Sequence, residues 1–86
     1  MPVISQFGGI TIEMYHRDHP PAHFHARYGE DEAIYEISTQ FLLKGHLPRR
    51  IHAQVVEWAR LHAVELEANW QRARQRLELQ RIEPLE

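Results

Sequence analysis

The sequence predicts an α+β domain: a small antiparallel sheet of three to four strands in the N-terminal half, packed against one long or kinked C-terminal helix. Three observations predict it. Apolar and polar residues alternate with period two through Ile10–Tyr15 and again through His23–Tyr28. Glycines and prolines punctuate those runs. From Pro48 onward the apolar residues recur instead at spacings of three and four.

The elements follow in order. Val3 to Tyr15 is strand-like, and Gly8-Gly9 interrupts it as a turn or bulge. Beyond it, apolar Ile10, Ile12 and Met14 alternate with polar Thr11 and Glu13, as in a half-buried strand. His16 to Ala22 contains Pro20 and Pro21, which cannot donate to a ladder, so it is a loop. In His23–Tyr28, Phe24, Ala26 and Tyr28 share one face, while His23, His25 and Arg27 share the other. Gly29 to Glu32 is a polar turn. Ala33 to Ser38 is a third strand, with Ile34 and Glu36 opposing Tyr35 and Ile37. Phe41 to Lys44, ending at Gly45, is either a fourth strand or an irregular core segment.

Pro48 suits a first helical turn, where its missing N–H leaves nothing unsatisfied. Val55, Ala59, His62, Leu66, Trp70, Ala73 and Leu77 form one stripe, widened by Ile51 and Trp58. A straight helix from Pro48 to Leu77 would run about 45 Å, longer than a small domain is wide. It therefore bends or breaks near Asn69, or projects its end toward a partner. Arg72, Arg74, Arg76 and Arg81 crowd that end, where the helix dipole favours positive charge. Ile82 to Glu86 is a short tail.

At 86 residues the chain is one domain, spanning 1–86. A chain of this size buries only about 60–65% of its unfolded surface, so a metal or a partner is a common supplement. With no cysteine, disulfides and thiolate metal sites are excluded. Met1 to Ser5 lacks the basic and apolar regions of a signal peptide, and no apolar run approaches the length of a membrane span. A cytoplasmic protein with no membrane contact is expected. A net charge of −2 argues against a broad nucleic-acid footprint, while seven histidines leave room for pH-dependent charge.

The concentrated chemistry lies between residues 16 and 25, where four of ten positions are histidine. His23 and His25, two apart on a strand, point the same way and can offer two imidazoles to one metal ion or substrate. His19 precedes them on the loop. Asp18 can orient one imidazole by accepting its other N–H. Three readings stay open. His19, His23 and His25 bind a divalent metal such as zinc, with water at a fourth position. Or two histidines act as base and acid on a phosphodiester, with Arg17 or Arg27 steadying negative charge. Or the rings are structural and bond backbone carbonyls freed by the proline loop. His62 reads as a half-buried packing residue, and His46 and His52 as surface residues.

The run Phe7-x-Gly9-Ile10-x-Ile12-x-Met14-Tyr15, then Asp18-His19-x-Pro21-x-His23-Phe24-His25, then Tyr28 with Ala33, resembles the DUF4160 family of small bacterial proteins. Gly45-x-Leu47-Pro48, Trp58, Leu66, Asn69-Trp70 and Ile82-Glu83-Pro84-Leu85 continue the resemblance over nearly the whole chain. The Asp-His and His-Phe-His runs are its specific part. The resemblance carries over Asp18, His19, Pro21, His23 and His25, and it removes His16 from the cluster. Ala22 stands where the family usually has a proline, which here is shifted to Pro20.

The family's function is unassigned. Its members often sit beside a second small protein of the DUF2442 family, which implies a toxin–antitoxin pairing. The reading favoured is an interaction protein, the toxin-like effector of such a pair, whose partner is a DUF2442-like protein or a second copy. The alternatives are a ribonuclease-like phosphodiesterase acting on RNA through His23 and His25, supported by His19 and Asp18, or a divalent-metal-binding protein using His19, His23 and His25.

Overall fold

Gly8 and Gly9 take φ of 56° and 82°, the pair of left-handed conformations that a two-residue type I′ hairpin turn requires. They divide the first segment into β1 (Val3–Phe7) and β2 (Ile10–Glu13), antiparallel, with Phe7 opposite Ile10. β3 (His23–Tyr28) pairs with β2, and β4 (Asp31–Glu36) returns along β3 after the turn at Gly29-Glu30. β5 (Leu42–Gly45) lies outside β4. The structure, a computed structural model describing residues 3–86, is thus a five-stranded antiparallel sheet in the order β1-β2-β3-β4-β5, followed by two helices. Met1 and Pro2, part of the N-terminal stretch considered above, lie outside the described residues.

The sheet has more strands than the three to four expected. The glycine turn produces a hairpin where one interrupted strand was read, and Leu42–Gly45 pairs rather than staying irregular. Gly45 makes that pairing possible: at φ 87°, a Cβ there would collide with the Glu32 carbonyl oxygen, so only glycine lets β5 approach β4. β4 begins at Asp31, not Ala33, because the turn is only two residues long.

The helix is also two, α1 (Arg49–Leu61) and α2 (Ala63–Arg74), with the break at His62 instead of Asn69. A straight helix over Arg49–Arg74 would run about 39 Å, beyond the molecule's longest extent of 34 Å. At the break, His62 still donates to the Trp58 carbonyl and accepts from the Leu66 N–H, so the ladder turns a corner without losing those bonds. Asn69 has a different task. Its side-chain amide donates to the Gln80 carbonyl and its oxygen accepts the Gln80 N–H, both at 2.8 Å. Leu77 lies past the helix end and is exposed, so it leaves the stripe.

The C-terminal residues are a strap. Ile82 is buried and its N–H bonds the Ile4 carbonyl on the outer side of β1. The Trp58 indole donates to the Glu83 carbonyl at 2.8 Å. One core unites the inner sheet face (Ile4, Ile12, Phe24, Tyr35) with Val55, Trp58, Leu66 and Trp70 from the helices. Phe24 stacks on Tyr35 and meets Trp58 edge-on. Burial pushes the Tyr35 hydroxyl up to about 12, and it shares a hydrogen bond with His52 Nδ1 at 2.8 Å. His52 is therefore a half-buried hydrogen-bond partner rather than the surface residue expected. Among the described residues no helix is long and apolar enough to cross a membrane.

Candidate metal centre

Alternation along β3 sends Phe24 and Ala26 into the core and His23, His25 and Arg27 to the opposite face. That face is covered by the loop after β2. A turn at His16-Arg17 aims Asp18 back over the histidines, with Arg17 at φ 62°. Left-handed backbone at a non-glycine costs of order 1 kcal/mol and persists where contacts over-determine it. Here the His16 ring bonds the Leu77 carbonyl at 3.0 Å on one side of Arg17, and Asp18 is held by both imidazoles on the other.

The arrangement around the two rings is specific. His23 Nδ1 lies 2.7 Å from the Pro21 carbonyl oxygen, and its Nε2 lies 2.9 Å from Asp18 Oδ2. His25 Nδ1 lies 3.2 Å from Glu32 Oε2, and its Nε2 lies 3.4 Å from the same Asp18 oxygen. Carbonyl and carboxylate oxygens only accept, so a neutral ring can donate to one of its two partners at a time, and a ring that ligates an ion through Nε2 keeps its proton on Nδ1, toward Pro21 or Glu32. Without an ion, an Nε2 proton can bond Asp18 Oδ2; with the proton on Nδ1, the same Nε2 is free to ligate a cation beside that oxygen. Asp18, His23 and His25 place three donor atoms within 4.8 Å of one another.

A ring of polar contacts stands behind His25. Arg27 Nε donates to Glu13 Oε1 at 3.0 Å, and its Nη1 lies 3.7 Å from Glu32 Oε1. The Tyr15 hydroxyl donates to Glu13 Oε1 at 2.7 Å, and its ring meets the edge of His25 with centroids 4.7 Å apart. On the other side Trp70 packs against His23 at 5.2 Å. Burial acts to raise the Asp18 carboxyl, but the His19 N–H and the two imidazoles outweigh it and the net shift is downward. Glu13 behaves likewise: burial raises it, the Tyr15 hydroxyl and Arg27 overcome that, and it ends below its ordinary value. The bond to Glu13 and burial raise the Tyr15 hydroxyl.

Of the expected site residues, the structure brings Asp18, His23 and His25 together. His19 is not among them: its backbone N–H bonds Asp18 Oδ1 at 3.0 Å, and the residue is exposed. Asp18 thus occupies the donor position expected of His19, because the loop turns its carboxylate inward. Glu32, placed in a turn by the sequence reading, is the residue missed. The signal for it was present: a two-residue turn at Gly29-Glu30 makes Arg27 and Glu32 cross-strand partners.

Residues 9–71 match the family model described as "Domain of unknown function (DUF4160)", and the chain belongs to that family. The matched stretch runs from the β1–β2 turn into α2 and contains Asp18, His23, His25 and Glu32. No curated protein and no solved structure matches the chain.

Proposed function

We propose that this member of the DUF4160 family binds a divalent transition-metal ion through Asp18, His23 and His25. One observation carries the reading: two imidazole Nε2 atoms and a carboxylate oxygen converge, and each ring has an acceptor oxygen behind its Nδ1. With each Nδ1 proton on its own acceptor, the three converging atoms are all available to a cation. Metal-bound histidines are commonly held in this way, with the other ring N–H on a carbonyl or carboxylate. The spacing fits. Bonds of about 2.0–2.2 Å set neighbouring donors roughly 3 Å apart in an octahedron and roughly 3.4 Å apart in a tetrahedron. The Asp18–His23 and Asp18–His25 separations are 2.9 and 3.4 Å. With neutral rings, Asp18, Glu13 and Glu32 against Arg27 leave two negative charges, the complement of a divalent ion.

Two histidines and one carboxylate leave coordination positions free, where a bound ion supplies Lewis-acid chemistry to water or a small ligand. The arrangement favours this over metal-free acid–base transfer by His23 and His25. Both imidazoles are nearly buried, at 10 and 13% exposure, and direct Nε2 at one Asp18 oxygen, which suits a small ion better than a phosphodiester. The test uses tag-free protein with zinc or nickel. Either ion should raise the melting temperature with near-equimolar uptake, and His23→Ala, His25→Ala and Asp18→Ala should each abolish the shift while His19→Ala keeps it. A wild-type chain that takes up neither ion sinks the reading.

A second reading rests on the sheet edges. The C-terminal strap covers β1, whereas β5 presents Leu42 and Leu43 at 44 and 45% exposure, with Phe41 just before it at 69%. An open apolar edge pairs readily with another strand. We infer that a second copy adds its β5 antiparallel to this one. Sedimentation should find a dimer that Leu43→Lys turns into monomer. A monomer that binds a DUF2442-like protein instead would support the toxin–antitoxin pairing and overturn the homodimer.

A further inference from the structure

We propose that Glu32 is a positioning residue for the metal centre: it holds His25 as the Nδ1–H tautomer, and Arg27, itself held by Glu13, keeps Glu32 in place. The inference rests on the metal reading for its consequence and on the geometry for its content. The two histidines are oriented by different means. His23 faces a backbone carbonyl, Pro21, through Nδ1, a partner that no side-chain change removes. His25 faces a side chain, Glu32, through Nδ1 at 3.2 Å, and Asp18 through Nε2 at 3.4 Å. Only the second arrangement depends on side-chain identity.

The contacts around Glu32 explain how it stays aimed. It sits opposite Arg27 in the β3–β4 register, two positions along β3 from His25 on the same face. One carboxylate oxygen faces His25 and the other faces Arg27. Arg27 lies between Glu32 and Glu13, bonding the latter through Nε. Glu13 is buried, with Tyr15 and Arg27 as its hydrogen-bond partners. Tyr15 then closes the circuit by laying its ring against His25. A carboxylate behind a ligating imidazole also raises the basicity of the metal-facing nitrogen, which a carbonyl does less strongly.

Removing such a partner typically costs 10- to 100-fold in metal affinity. Glu32→Ala should therefore weaken zinc binding by about 10- to 100-fold. Glu32→Gln keeps an accepting oxygen for the Nδ1 proton and should lose less. The decisive readout is the imidazole nitrogen NMR spectrum of metal-free protein. His25 should show the Nδ1–H pattern in the wild type and in Glu32→Gln, and should shift toward Nε2–H in Glu32→Ala. His23 should stay Nδ1–H in all three, because its partner is backbone. An unchanged His25 pattern in Glu32→Ala overturns the proposal, and so does a zinc affinity within about twofold of wild type in that variant. A wild type that binds no zinc defeats the metal reading alone and leaves the tautomer measurement to decide this one.

Discussion

The two faces of β3 make opposite use of neighbouring residues. On the inner face Phe24 and Ala26 are fully buried among Tyr35, Trp58 and the helices. On the outer face His23 and His25 are nearly as hidden, with side chains 10 and 13% exposed, but their neighbours are carboxylates, a guanidinium and a carbonyl. Burying an aromatic ring gains about 25 cal/mol per Å² of apolar surface removed from water. Burying an imidazole against ionic partners gains little, because each hydrogen bond replaces one to water. The inner face therefore holds the fold together, while the outer face holds polar groups in an orientation that folding alone does not require.

The comparison can be broken from either side. The largest effect should come from Phe24→Ala, which opens a cavity between Tyr35 and Trp58. A loss of about 3–5 kcal/mol is expected in urea unfolding. If Phe24→Ala and His25→Ala cost the same without metal, the division of labour is wrong. Next is the ligand effect. Zinc at 100 times its dissociation constant should stabilise the wild type by about 2.7 kcal/mol, and His25→Ala should remove that increment. Then comes Arg27→Ala, which leaves the Glu13 carboxylate buried with Tyr15 as its remaining donor. A cost of about 1–3 kcal/mol is expected by thermal unfolding, with Glu13→Gln in the same background restoring part of it.

Two smaller effects are pH-dependent. Glu13 has a folded pKa below its ordinary value of 4.5. Its contribution is present above that value and is lost as pH falls through the depressed folded value. Glu13→Gln should flatten the acid limb of the stability profile. Tyr35 has the reverse sign. Raised from 10.0 to about 12, it contributes in full below pH 10 and loses that contribution as pH climbs toward 12. Tyr35→Phe should cost about 1 kcal/mol at neutral pH, for the lost His52 bond, and should remove the alkaline drop.

The strands, the histidine face and the helical stripe were legible because each depends on short-range periodicity. Phe24 and His25 face opposite ways for any chain extended at that point. The family could be read from the Asp18 to His25 run. Where the reading missed, distance along the chain was the cause. Whether Leu42–Gly45 pairs depends on Gly45 meeting Glu32. Whether the helix breaks at residue 62 or 69 depends on the length of the sheet beneath it and on a strap that Asn69 holds from eleven residues away.

The sequence by itself determined which residues lie on the outer face of β3, and that a proline-bearing loop carrying Asp18 and His19 follows β2. Only the tertiary structure decided that Asp18, not His19, meets the imidazoles, and that Glu32 stands behind His25. Alternation fixes the face of a strand residue because the backbone has two sides. A loop residue has no such rule, and its direction is set by what the loop packs against: here His16 on the Leu77 carbonyl and Arg17 in a left-handed turn.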